Sequence, residues 1–132
     1  MSDGLRIFGP LNTGTTTGGA GVSTANATSS TIVTGLIHAI YVRYNDSPPA
    51  TTDLTIATAG NNTPANTILT LTNSASSGMY YPRADLRSQT GIALTFDGTR
   101  TVTDRIVISD NLKVTIAQAN DGDSADVWLY LY

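Results

Sequence analysis

The longest apolar stretch of the chain is TIVTGLIHAIYVRY, residues 31–44. In an extended strand, the even-numbered residues from Leu36 to Tyr44 share one side and the odd-numbered residues from Ile37 to Arg43 share the other. Both sides are fairly apolar. The stretch therefore predicts a central β-strand that is covered on two faces, with Gly35 as a candidate β-bulge.

One short run of strand-forming residues precedes this stretch, and seven more follow it at regular intervals. They cover residues 5–8, 53–58, 67–72, 79–83, 92–96, 100–109, 111–119 and 124–132. Turn residues such as Pro49, Pro64 and Gly98 separate them, and no helical pattern is long enough to supply a crossover. We predict an all-β fold: an antiparallel β-sandwich or jelly roll of about eight strands, in which residues 111–132 form a C-terminal hairpin.

The composition favours the same fold class and excludes several chemistries. Threonine occupies 22 of the 132 positions, and all ten acidic residues are aspartate, so strand and turn formers replace the helix former glutamate. Because the chain has no cysteine, it cannot form a disulfide, a thiolate nucleophile or a sulfur-ligated metal site. Its single histidine, His38, excludes any site that needs two imidazoles.

The number and distribution of charged residues indicate which classes of binding partner to expect. The formal net charge is −3, and the seven basic residues are scattered, so a phosphate-binding track for nucleic acid is not expected. The sequence contains no apolar run of 18 residues and no export signal. We predict a protein made in the cytoplasm, with neither nucleic acid nor a membrane as partner.

The N-terminal region differs from the rest of the chain. Residues 12–30 read NTGTTTGGAGVSTANATSS, in which Val22 is the only large apolar residue. Such a segment buries too little apolar surface to offset its loss of conformational entropy. We predict an extended N-terminal arm over residues 1–30, ordered only with support from a neighbouring chain, and a β-sandwich domain over residues 31–132.

No residue pattern indicates a catalytic, cofactor-binding or metal-binding site. Asp121, Asp123 and Asp126 could place three hard oxygen ligands near calcium, but this run lacks an EF-hand's length and bidentate glutamate, and it contains a hairpin-type turn. His38 lies in the middle of a strand, where a structural role is the simpler interpretation. The remaining aspartates mostly lie beside turn residues, which indicates capping and turn formation.

Two clusters of aromatic residues are candidates for a binding surface. In the last strand, Trp128, Tyr130 and Tyr132 project to one side while aliphatic residues project to the other, so both faces need cover, from the rest of the chain or from another subunit. A second cluster, MYYPR, occupies residues 79–83 at a predicted sheet edge. Trp, Tyr and Arg are enriched at protein interfaces. The candidate interface residues are Phe8, Tyr80, Tyr81, Arg83, Trp128, Tyr130 and Tyr132.

Four segments of the chain resemble a known class of proteins. They are TTDLTIATAG at residues 51–60, TILTLTN at 67–73, YPR at 81–83 and DNLKVTIAQANDGDS at 110–124. Over residues 32–132 the sequence is similar to small β-rich virion proteins of tailed bacteriophages, in particular head decoration (cement) proteins. The resemblance implies a non-enzymatic protein on the capsid surface of the virion, which binds the major capsid protein, commonly as a homotrimer.

Two other functions stay open at the level of sequence. A carbohydrate-binding or tail-fibre domain for host recognition would use exposed aromatic rings such as Trp128 or Tyr80 to stack on sugars. A hydrolase would need two facing carboxylates, which in this chain would have to be aspartates.

Overall fold

A computed structural model describes residues 4–132, and within these residues every regular element is a β-strand. The eight strands are β1 (Arg6–Asn12), β2 (Ser23–Asn45), β3 (Asp53–Thr58), β4 (Thr67–Leu71), β5 (Gly78–Tyr80), β6 (Arg83–Asp85), β7 (Thr103–Ala119) and β8 (Ser124–Leu131). All pairings between them are antiparallel. The predicted all-β antiparallel fold is confirmed.

Two long strands, β2 and β7, organise the sheet. The strand order is β1-β8-β2-β7-β3-β4, with β5 added to β2 and β6 added to β7. The first half of β2 pairs with β7, whereas its second half pairs with β8 and β5. Each half buries one face in a single apolar core, as expected for a β-sandwich. The strand order does not establish a jelly roll.

The core is built from the inward positions of both halves. Ile40 and Leu129 are fully buried on one side, and Ile56 and Val114 are fully buried on the other. β3 and β8 follow the alternation that the sequence predicts, since their apolar residues point inward at every second position. Burial of aliphatic side chains is thus the main stabilising contribution to this fold.

One buried carboxylate organises a turn beside this core. Asp110 on β7 is completely buried and accepts hydrogen bonds from the backbone N–H groups of Gly60, Asn62, Thr63 and Asn111. Burial acts to raise the pKa of Asp110, but the hydrogen bonds outweigh it and the pKa lies below its ordinary value. The carboxylate is therefore satisfied internally and fixes the turn that follows β3.

The long strand β2 differs from the prediction in where its faces lie. A register shift between Ile37 and Ala39 inserts an extra residue opposite β8, so that the bulge lies at His38 and not at Gly35. Ile37 therefore points into the core together with Ile40 and Val42, although strict alternation had placed it on the opposite side. Because of the bulge, β2 can pair with β7 in its first half and with β8 in its second half while both halves direct apolar side chains into the core.

The N-terminal region is part of the sheet, which corrects the expectation of an arm that needs a neighbouring chain for its order. β1 pairs with β8 along residues 6–12, and residues 23–30 form the beginning of β2, paired with β7. Inward positions here carry small residues, Ser23, Ala25, Ala27 and Ser29, so the strand alternation is present without high hydropathy. This backbone is supported within the same chain. The first three residues of the predicted arm lie outside the described residues.

The C-terminal hairpin is also corrected. β8 does not pair with β7 but lies between β1 and β2, and residues 103–119 form one continuous strand where two had been predicted. The connection between β7 and β8 therefore passes from one half of the sheet to the other. Buried threonines from residues 13–22 form hydrogen bonds with the backbone of this connection. The hydroxyl of Thr16 donates to Asn120 O at 2.6 Å and accepts from Asp123 N at 2.9 Å.

Replacing Thr16 with valine should therefore lower the free energy of unfolding by about 1 to 2 kcal/mol, because Asn120 O and Asp123 N lose the hydroxyl and keep only the 3.3 Å hydrogen bond between them, while the side-chain shape is kept. Urea denaturation followed by the fluorescence of the single tryptophan measures this. Thr15→Val, at an exposed neighbouring position, is the matched control. Equal stability of the two variants would contradict the assigned role of the Thr16 hydroxyl.

Residues 86–102 form an irregular projection in place of the strand predicted at 92–96. Isolated bridges join Arg87 to Ala93 and Thr95 to Thr101, and large apolar side chains stay exposed on it, among them Ile92 and Phe96. The projection does not contribute to the core cluster.

Candidate binding surface

The outward face of the half-sheet formed by β1, β8, β2 and β5 carries a continuous set of aromatic side chains. Its strand register places Tyr41 opposite Trp128 and Ala39 opposite Tyr130, with Tyr132 at the end of the same row. We call the outward side chains of Tyr41, Trp128, Tyr130 and Tyr132 the aromatic face. The opposite side of the same strands is already used by the core, so this face is available for a second function.

Apolar neighbours extend the aromatic face on both sides. Ile7 on β1 lies opposite Tyr130, and Met79 on β5 lies opposite Tyr41. Ile7 is 60% exposed and Met79 41% exposed. A contiguous exposed apolar area of this kind is typical of interaction surfaces.

At one end of the face, Trp128 is held by two neighbours. Its ring lies 5.5 Å from the ring of Tyr41, and the guanidinium carbon of Arg43 lies 4.9 Å from the Trp128 ring centroid. Between these neighbours the indole is half-buried, which suits an anchor side chain.

Arg43 is itself fixed by the carboxylate of Asp126. That carboxylate accepts hydrogen bonds from Arg43 at 2.7 Å, Asn12 at 2.8 Å and Asn45 at 3.1 Å. Burial acts to raise the pKa of Asp126, but these hydrogen bonds and the positive charge of Arg43 outweigh it and hold the pKa below its ordinary value. The charged form of Asp126 thus supports the cation that lies on Trp128.

At the other end, two tyrosines surround the single histidine. The His38 ring lies 5.6 Å from the ring of Tyr132 and 6.1 Å from that of Tyr81, in edge-to-face geometry. Arg105 lies over the Tyr132 ring at 5.0 Å, and Arg83 donates a hydrogen bond to the carbonyl of His38 at 3.0 Å. Tyr81 is 59% exposed and Tyr132 44% exposed.

The structure divides the seven predicted interface residues into two groups. Five of them, Tyr81, Arg83, Trp128, Tyr130 and Tyr132, lie on or beside the aromatic face. Phe8 and Tyr80 instead point inward and pack against the core, because they lie opposite the buried residues Leu129 and Ile40. Those two therefore lie outside the aromatic face, on the core side of the same strands.

Four residues of this surface were missed: Ile7, Tyr41, Arg43 and Arg105. Their alignment depends on which strands are neighbours, and that order does not follow from local sequence patterns. The one available signal was the apolar outer side of residues 31–44, which had indicated a strand with two faces to cover.

The aspartates considered for calcium or hydrolysis do not converge. Asp126 turns outward to Arg43, whereas Asp123 accepts a hydrogen bond from the backbone of Asn120 within its own turn. Within residues 4–132, no group of three His, Cys, Asp or Glu side chains lies close enough to hold a metal ion. Two surface grooves of about 360 and 260 Å³ run between β1 and β2, and neither is lined by a carboxylate.

Comparisons with protein families, with curated proteins and with solved structures gave no match to this chain. None of the described residues belongs to a helix that is long and apolar enough to cross a membrane.

Proposed function

We propose that this protein is a non-enzymatic virion protein of a tailed bacteriophage, which binds the outside of the assembled head through its aromatic face. The observation that carries the proposal is the aromatic face itself: four large aromatic side chains on the outer side of strands whose inner side already forms the core. A globular monomer has no need of such a surface, whereas a protein that docks on a larger assembly does.

The resemblance of residues 32–132 to head decoration proteins supports the location and the stoichiometry. In this proposal the partner is the major capsid protein, and the protein acts as a homotrimer. Because it binds the assembled shell and not its free subunits, it shifts the equilibrium towards assembly and stabilises the head by mass action.

Trp128→Ala should weaken binding to purified heads about 30-fold or more, since a large aromatic anchor commonly contributes at least about 2 kcal/mol to an interface. The measurement is co-sedimentation of the purified protein with heads of the phage that encodes it, with the number of bound copies as readout. Phe96→Ala is the matched control, because Phe96 is an exposed aromatic residue on the projection outside the aromatic face.

The thermal stability of both variants is compared with that of the unchanged protein, so that loss of binding is not mistaken for unfolding. Absence of the protein from purified virions, or its presence in tails alone, would overturn the proposal. A mass measurement in solution tests the trimer separately.

A carbohydrate-binding function is the second candidate, favoured by the exposed rings of Tyr81 and Tyr132. Two contacts oppose it at the positions first considered: Arg43 covers one side of the Trp128 ring, and Tyr80 packs against the core. A glycan array is the direct test, and binding that survives Trp128→Ala but not Tyr81→Ala would favour this function over docking on a head.

A further inference from the structure

Two arginines lie side by side at the end of the aromatic face. Arg83 on β6 and Arg105 on β7 are direct cross-strand partners. Like charges in this position destabilise a sheet. In the described part of the chain neither forms an ion pair, whereas Arg43, Arg87 and Arg100 are each paired with an aspartate. The pair thus concentrates positive charge on one spot of a protein with net negative charge.

Each guanidinium group contacts neighbours that carry no charge. Arg83 uses Nη1 to donate to the carbonyls of His38 and Pro82, which leaves its other N–H groups free of any intramolecular hydrogen bond to the described residues. Arg105 lies over the ring of Tyr132. Beside them, the buried Nδ1 of His38 also has no hydrogen-bond partner among residues 4–132.

This arrangement suits a carboxylate. Two fixed guanidinium groups offer planar, charge-assisted hydrogen bonds to its two oxygens, and binding relieves their mutual repulsion. The flanking rings of Tyr81 and Tyr132 favour a ligand in which the carboxylate is attached to apolar groups that can pack on the rings, as in a polypeptide. Inorganic anions have no apolar groups and cannot form these contacts.

We propose that Arg83 and Arg105 form a carboxylate-binding site, and that the surface which docks on the aromatic face inserts an Asp or Glu side chain between them. The inference deepens the proposed function and rests on it, since it names the chemistry of the partner surface.

The first test uses the isolated protein and a short probe. His38 is the only histidine, so its ring resonances report unambiguously on ligands at this spot at constant pH. The probe is the acetylated and amidated tripeptide Phe-Asp-Phe, and Phe-Asn-Phe is its neutral counterpart. We expect the Asp peptide to bind at least 10-fold more tightly, and Arg83→Gln and Arg105→Gln each to weaken binding at least 5-fold.

Arg87→Gln is the control, because that arginine is already paired with Asp85, and it should leave peptide binding unchanged. Arg105→Gln removes no backbone hydrogen bond, so it remains informative if Arg83→Gln disturbs the local structure. Equal binding of the Asp and Asn peptides would overturn the proposal. Tighter binding of inorganic phosphate at the same ionic strength would also overturn it.

The second test separates this inference from the proposed function. If the unchanged protein binds heads while Arg83→Gln and Arg105→Gln bind equally well, the carboxylate site is wrong and head binding stands. If the unchanged protein does not bind heads, the proposed function and the assignment of this site to the head surface both fail, and the peptide test alone decides whether the two arginines bind a carboxylate. If each substitution weakens head binding at least 5-fold and Arg87→Gln does not, both are supported.

Discussion

Replacing Gly35 with alanine should lower the free energy of unfolding by about 3 kcal/mol. Gly35 has a φ of +148°, in a region that residues with a side chain rarely adopt. A Cβ at this position would lie 2.6 Å from the backbone oxygen of Tyr132 and 2.8 Å from Nη2 of Arg6. Leu36 and Tyr132 exchange two backbone hydrogen bonds next to it, so the added methyl group would push β2 away from the end of β8.

Gly14→Ala separates this close approach from backbone strain alone. Gly14 also has a positive φ, +81°, but nothing lies within 4 Å of a Cβ built there. Its replacement should lower stability by only about 1 kcal/mol, the strain of a left-handed conformation. Urea denaturation of the two variants measures the difference. Equal losses would show that the contact with Tyr132 is not what requires glycine at position 35.

Asp126→Asn should lower the free energy of unfolding by about 2 kcal/mol at pH 7, because a charged acceptor of three hydrogen bonds becomes a neutral amide. The effect depends on pH. The folded protein holds the pKa of Asp126 below its ordinary value, so the contribution is complete above about pH 4 and is lost as the pH falls through the folded-state pKa. The stabilities of the variant and the unchanged protein should therefore converge below pH 4.

Urea denaturation at a series of pH values from 7 downwards tests this, with Asp121→Asn at an exposed turn position as control. Asp110, whose pKa is also lowered, is present in all three proteins and cancels in the comparison. The control should follow the unchanged protein at every pH. A difference between Asp126→Asn and the unchanged protein that stays constant down to low pH would contradict the role assigned to the charge.

The fold class followed from local patterns, whereas the strand order did not. Residues 53–58 and 124–131 alternate so regularly that both strands and their buried sides could be predicted from the sequence. The insertion of β8 between β1 and β2 depends on packing between distant segments, and a short turn at residues 120–123 favours a hairpin on local grounds alone.

The beginning of β2 was missed for a different reason. Its inward positions carry alanine and serine, and hydropathy alone does not detect such a strand. The candidate surface was predicted in part: Trp128, Tyr130 and Tyr132 are visible in one strand, while Tyr41 and Arg105 join them only once the neighbouring strands are known.

The pairing of β1 with β8 and of early β2 with β7 has a consequence for how the chain folds. Arg6 lies opposite Leu131, and Ser23 lies opposite Ala119, so residues near one end of the chain must find partners about a hundred positions away. Folding rates fall as contacts become more distant in sequence, and β-proteins with such pairings fold in milliseconds to seconds. During synthesis, β1 and the beginning of β2 therefore stay without their strand partners until β8 and β7 have emerged from the ribosome.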